Sequence, residues 1–319
     1  MIKRIFFVLS SVAALLMSAS CDKESSKEDA IVAILKDGNS DYWKQIISSI
    51  EAESRTRGCK SFIFTTDSEY DVASQVRAAE SLSELDYNVK GIIFTPIYDS
   101  NIKNDAEAVI SSFAGRSVPV VFLDTKPSEL SPMKDSYSAY VGVDLKVTGT
   151  DFAEMVPETD PSRILSVYYN TAATADRYQT FKSVKGITDD SNAISVTADN
   201  ELNASALNAK LSVLGNSGSV VLFNGDFYDK ILSFGKDVQN LDDKQIYAFD
   251  VYKSLLVNIK NGGNVRAILA QNGFVMGKKA VDCIFSAPSD KEVFVPAITI
   301  SSATIASPEV KPFLDFFGL

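Results

Sequence analysis

The sequence predicts an α/β protein of two lobes, each a doubly wound parallel sheet. Three observations carry that reading. Short β-branched or aromatic runs starting at Ile31, Lys60, Gly91 and Val118 follow one another at roughly 30 residues, the pace of β-α-β units. The alternation halts at a loop rich in Pro, Ser and charge, residues 126–138, and then restarts. With 319 residues, the chain is long enough for two compact units of about 100 to 200 residues each.

In the first lobe, runs 31–36, 60–66, 91–96 and 118–124 are almost continuously apolar, as strands covered on both faces must be. The first helix carries Tyr42, Trp43, Ile46, Ile47 and Ile50 on one stripe, after the capping candidates Asn39, Ser40 and Asp41 and before the stop at Gly58. The second places Val72, Val76, Ala79 and Leu82 on one face. A second lobe is expected to begin near Tyr140, with strands at 140–144, 163–169, 193–198, 219–224, 246–250 and 265–271, and helices that include 202–214 and 252–259. One more strand, 292–301, and a short helix, 308–317, close the chain.

Ahead of the body, Lys3 and Arg4 precede the apolar run 5–17, and Ser18, Ala19 and Ser20 lead into Cys21. Residues 1–20 read as an export signal. The run is too short for a spanning helix, which needs about 20 apolar residues. Small residues directly before a cysteine resemble a bacterial lipobox, which implies cleavage before Cys21, lipidation of Cys21, and a membrane held through that anchor alone. Ordinary secretion is the other reading of the same stretch. Residues 21–30 then form a charged tether, and folding is expected from Ile31. Cys59 and Cys283 remain as an even pair, read as two buried free thiols because one opens an apolar strand and the other lies on an apolar helix face.

Composition removes several function classes. There is no histidine, so Ser-His-Asp and Cys-His catalysis, histidine metal ligands and the usual proton shuttle are out. A formal net charge of −10 repels phosphate backbones and argues against nucleic acid as a partner. No G-x-G-x-x-G follows a strand, no C-x-x-C or calcium loop occurs, and the stretch from Gly273 to Lys279 is one spacer short of a P-loop. No cofactor and no metal is expected. Paired carboxylates such as Asp124 and Asp250 leave an exported carbohydrate-active enzyme as a minority reading, which predicts turnover.

A different pattern recurs. In doubly wound sheets the ligand crevice lies beyond the carboxyl ends of the strands, and here those ends are polar: Asp124, Asn224, Asp250 and Gln271 each close an apolar run. Carboxylates accept from hydroxyls and amides do both, a set suited to a polyhydroxylated neutral ligand. For any one of them a turn or helix cap is the plain alternative.

Taken in order, residues 31–43, 71–96 and 118–124, Tyr140 to Asp144 with Gly149, Ala175 to Arg177 with Phe181, Phe249 with Asp250, and Ala270 and Gln271 with Gly277 resemble the periplasmic ribose- and galactose-type sugar-binding proteins of ABC transporters. The resemblance covers nearly the whole body. It implies the type I periplasmic-binding fold, with three hinge crossovers and the second lobe inserted in the first: 31–137 plus 272–300, and 138–271 plus 301–319. It implies that Tyr42 and Trp43 stack on the sugar, that Asp124 grips ring hydroxyls from the first lobe, that Arg177 donates from the second, and that Asn224, Asp250 and Gln271 complete the site. Trp43 also fits core packing, Arg177 a solvated helix position, and Asp144 is read as structural. Ser40 stands where these relatives carry Asn, and Thr125 where ribose binders often carry an arginine, so the sugar stays open. The expected function is a monomeric extracytoplasmic receptor that hands a monosaccharide-like ligand to an ABC permease. A receptor that feeds a membrane sensor kinase or chemoreceptor shares every one of these features. A transcription repressor of the same core would need a helix-turn-helix headpiece where the export signal stands.

Overall fold

A computed structural model describes residues 27–67, 71–98, 105–197 and 201–319. The signal segment and Cys21 lie outside the described residues. Two six-stranded sheets organise the chain. The first contains β1 (Asp29–Ile34), β2 (Lys60–Phe64), β3 (Asn88–Phe94), β4 (Val120–Leu123), β5 (Ala139–Gly142) and β11 (Glu292–Phe294) in the order β11-β5-β4-β3-β1-β2. Every pairing in it is parallel. The second contains β6 (Ile164–Tyr169), β7 (Ala193–Val196), β8 (Ser219–Leu222), β9 (Gln245–Phe249), β10 (Val265–Ala270) and β12 (Ile298–Ser301), ordered β12-β10-β9-β8-β6-β7. Only its edge strand β12 runs antiparallel.

Side chains of a strand alternate between faces, and each sheet accordingly has two cores. On β1, Ile31 and Ala33 pack with Trp43, Ile46, Met276 and Ala280, while Val32 and Ile34 pack on the other side with Ala79, Leu82 and Ile110. On β6, Leu165 and Val167 meet Leu207, Phe227 and Leu255, and Ile164 and Tyr168 meet Phe152 and Phe181. The two expected free thiols, Cys59 and Cys283, are buried together in the first lobe and unbonded.

The chain passes between sheets three times: at residues 143–144 before α4 (Leu145–Met155), at 271–272 before α9 (Gly273–Phe285), and at 295–297 between β11 and β12. This is the two-lobe α/β architecture with three crossovers. Asp144 is structural, as expected: its carboxylate caps α4 by accepting from the Lys146 and Val147 amides at 2.9 and 3.1 Å.

Three boundaries differ from expectation. The lobe division at 137/138 falls too early, because Ala139–Gly142 pairs with β4 and β11 and so completes the first sheet. The single strand 292–301 is two strands in different sheets: the Val295 amide still donates to the Gly142 carbonyl at 2.8 Å, but Pro296 has no amide to continue a ladder, and β12 starts at Ile298. Placing 298–300 with the first lobe is therefore corrected. The tether 21–30 also overran, since Asp29 and Ala30 extend β1 along Asn88 and Val89, and Lys27 pairs with Asp86 at 2.8 Å.

The near-match to a P-loop has a packing explanation. α9 lies against α1 (Asp41–Thr56), and a Cβ at Gly277 would stand 2.6 Å from the Ile46 carbonyl oxygen. Gly277 is there so that two helix backbones can approach. Gly277→Ala is expected to destabilise the protein by about 2 kcal/mol through overpacking, even though Ala raises helix propensity by ~1 kcal/mol. Reversible urea unfolding measures it, and a variant as stable as the parent would contradict this packing.

Candidate functional site

Because both sheets are parallel apart from the edge strand β12, the carboxyl ends of their strands gather polar loops on one side each, and those two sides face one another. From the first lobe, β1 leads into Lys36 and Asp37, α1 starts with Tyr42 and Trp43 after the cap of Ser40, and β4 ends in Asp124. From the second, β6 leads through Thr171 into α5 (Ala172–Lys185), which carries Thr174 and Arg177; β8, β9 and β10 lead into Asn224, Asp250 and Gln271. All seven residues expected at the site, Tyr42, Trp43, Asp124, Arg177, Asn224, Asp250 and Gln271, line one interlobe cavity of about 200 Å³. An adjoining chamber of about 340 Å³ shares Tyr42, Trp43, Asn224 and Asp250.

Asp124 and Asp250 use the same backbone device. Each follows its strand with φ at 63° and 68° respectively, in the left-handed region that Asp tolerates better than most side chains. The strand's pleat is broken there. The Asp124 carboxylate accepts from the Tyr42 hydroxyl at 2.8 Å and the Thr125 hydroxyl at 3.1 Å, with the Lys36 ammonium 3.8 Å away. The Asp124 carbonyl accepts from the Tyr140 hydroxyl at 3.0 Å. Across the cavity, Gln271 donates to Asp250 at 2.8 Å.

Arg177 is only 5 % exposed, so the solvated-helix alternative is wrong. Its guanidinium lies 3.5 Å from the centroid of the Phe249 ring and donates one long bond, 3.4 Å, to the Phe223 carbonyl. Burial pushes the Arg177 pKa down, and Asp250 and then Asp124 pull it back up. Asp250 is pushed up to about 6, chiefly by burial; Arg177 and Gln271 oppose that rise, while Asp124 and Asp226 add to it. Burial, with Asp124 and Asp250, drives the Tyr42 phenol well up, so it stays a donor. Two residues that line the cavity each keep a buried polar atom with no hydrogen-bond partner in the protein, Arg177 Nε and Asn224 Oδ1. A cavity lined by fixed donors and acceptors can hold hydroxyl groups.

Trp43 answers to both of its readings. At 2 % exposure it packs in the first-lobe core, with Tyr42 edge-on at 5.1 Å, and only a margin of it lines the cavity. Several cavity residues were missed by sequence reasoning: Lys36, Tyr98, Thr171 and Thr174 here, and Asp37, Tyr169, Asp226 and Tyr252 in the chamber. Most stand at strand ends or up to four residues beyond them, so the strand-end rule would have found them had it been extended past the terminal residue.

Residues 31–289 match a family model described as "Periplasmic binding protein domain". Solved structures of similar fold include a protein titled an ABC transporter, LacI family transcriptional regulator from Brachyspira murdochii, at 18 % identity and TM-score 0.66, covering 89 % of this chain and 98 % of that one. An ABC transporter solute binding protein from Agrobacterium vitis with bound D-fucose has 20 % identity and TM-score 0.67, with the same coverages. A periplasmic ribose ABC transporter protein from Conexibacter woesei has 17 % identity and TM-score 0.67, covering 91 % and 96 %. No curated protein matches the sequence.

The raised Asp250 pKa fixes the sign of one pH effect. Between 3.8 and about 6 the folded state binds the Asp250 proton more tightly than the unfolded chain, so this group adds stability as the pH falls through that window. Comparing wild type with Asp250→Asn, the stability difference should move toward wild type by on the order of 2 kcal/mol between pH 7 and pH 4. Melting curves across that range would refute the assignment if the difference stays flat.

Proposed function

Because the chain belongs to the periplasmic binding protein domain family, we propose that it is an extracytoplasmic solute-binding lipoprotein that captures a monosaccharide-like ligand between two closing lobes and delivers it to an ABC transporter. The observation that carries this reading is the convergence of Asp124 and Tyr42 from one lobe with Arg177, Asn224, Asp250 and Gln271 from the other around a single interlobe cavity. Neighbouring folds with bound D-fucose and from a ribose transporter support a sugar as the ligand.

The mechanism needs no bond to break. A ligand bonded to one lobe alone has equal affinity for open and closed states and shifts nothing; one that bonds both lobes favours closure by the contacts it gains. Asp124 offers acceptors from the first lobe, while Arg177, stacked on Phe249, offers a donor from the second. Its planar fork reaches neighbouring hydroxyls or a ring oxygen together. Lobe rotation is taken up at the three short crossovers, of which residues 271–272 also present Gln271 to the cavity. Ligand contact and hinge position are thereby joined. Upstream, Cys21 is the residue that carries the lipid in this reading.

Asp124→Asn and Arg177→Met keep the local packing and remove one charge each. Each is expected to weaken sugar binding about a hundredfold, the worth of a charge-assisted hydrogen bond. A thermal-shift screen of neutral and amino monosaccharides, followed by calorimetry on whichever binds, provides the measurement; unchanged affinity in both variants refutes the site. Cys21→Ser should move the expressed chain from the membrane pellet to the soluble fraction, and retention in the pellet counts against the anchor.

A further inference from the structure

The two parts of the interlobe cavity differ in charge. The smaller part holds both cavity cations, Lys36 and Arg177. Among the described residues, the adjoining chamber is lined by Asp37, Asp67, Asp226 and Asp250, with Tyr42 and Tyr252, and by no lysine or arginine. Asp226 accepts from the Tyr169 hydroxyl at 2.5 Å and pairs at 3.3 Å with Lys230, which also donates to that hydroxyl. Asp250 faces Arg177 from the other part. Asp37 accepts from the Asn39 amide at 3.1 Å and, like Asp67, makes no ion pair among the described residues. Burial first, and then the charges of Asp226, Asp250, Asp41 and Asp37, push the Tyr252 phenol up, so it stays a donor.

A neutral sugar asks for acceptors, but it offsets neither of the two chamber charges that have no ion pair, Asp37 and Asp67. An ammonium does so twice: it pairs with carboxylates and is drawn to tyrosine faces. At the opposite end, Arg177, 95 % buried by its exposure of 5 %, has an Nε with no partner, and Asn224, which lines both parts, has an unpartnered Oδ1. Together with Asp124 these residues line the smaller part and present donors and acceptors to hydroxyl groups. We infer that the ligand is an amino sugar, its ammonium held in the chamber by Asp37, Asp226 and Asp250 beside Tyr42 and Tyr252, and its hydroxyls turned toward Arg177, Asn224 and Asp124. This inference rests on the sugar-receptor reading and names the class within it.

The test is calorimetry and thermal shift on the full chain with D-glucosamine, D-galactosamine and D-mannosamine, each beside its neutral parent and its N-acetyl derivative. At pH 6.5 at least one amino sugar should bind about tenfold or more tightly than its parent and N-acetyl forms, a factor one charge contact supplies. That preference should shrink at pH 9.5, above the titration of such an amine at roughly 8, and in Asp37→Asn and Asp226→Asn, both isosteric. Neutral parents that bind as well as the amino sugars overturn the amino-sugar inference and leave the sugar receptor standing. Silence from all the sugars while α-amino acids or polyamines bind overturns both, as does silence from every compound at 10-millimolar order.

Discussion

A buried guanidinium with too few partners organises this protein. Arg177 sits on the Phe249 ring, nearly out of water, with one long bond to a carbonyl. A charge so placed is tolerable only if opposite charge stands close by. Here that charge comes from both lobes: Asp250 in its own and Asp124 in the other, each acting on Arg177. The same balance runs in reverse at Asp250, whose carboxyl would rise further without Arg177. The lobes are thus coupled electrostatically across the cavity, and a ligand entering it alters the environment of groups on both sides.

The backbone makes that juxtaposition possible by a device repeated in each lobe. A parallel strand cannot end in a tight hairpin, so its last residues run into a loop that leads to a helix. At β4 and β9 the exit is a left-handed aspartate. Few side chains adopt that conformation cheaply, and Asp is among the few that also bring charge. Local geometry and chemistry therefore select the same residue. The energetic cost of the left-handed turn is supported by the strands beneath, whose side chains are almost wholly buried on both faces.

The two sheets are joined by three crossovers. They are two or three residues long, and each is held at one end by a cap or a ladder bond: Asp144 caps α4, Asn272 caps α9 through the Val275 amide at 3.1 Å, and Val295 bonds β5 before Pro296 breaks away. Short connections pinned in this way are where the closure proposed for this chain would be taken up.

Much of this was legible in the chain order. Buried parallel strands require unbroken apolar runs and their ends require polar residues, so the order of strands and the strand-end residues Asp124, Asn224, Asp250 and Gln271 could be read directly, and a family resemblance added Tyr42, Trp43 and Arg177. Lys36 and Tyr252 were not singled out, because a lysine or tyrosine just past a strand looks like any surface residue until the opposing lobe is in place. What tertiary structure alone decided was which sheet each marginal strand joins and how deeply each charge is buried. Ala139–Gly142 and Ile298–Ser301 have no local feature that names their partners. Arg177 on a polar helix face looks solvated until Phe223 and Phe249, 46 and 72 residues further on, close over it. Periodicity is set by neighbours a few positions away and is written along the chain; burial and field depend on contacts between residues far apart in sequence, and exist only once the two sheets face each other.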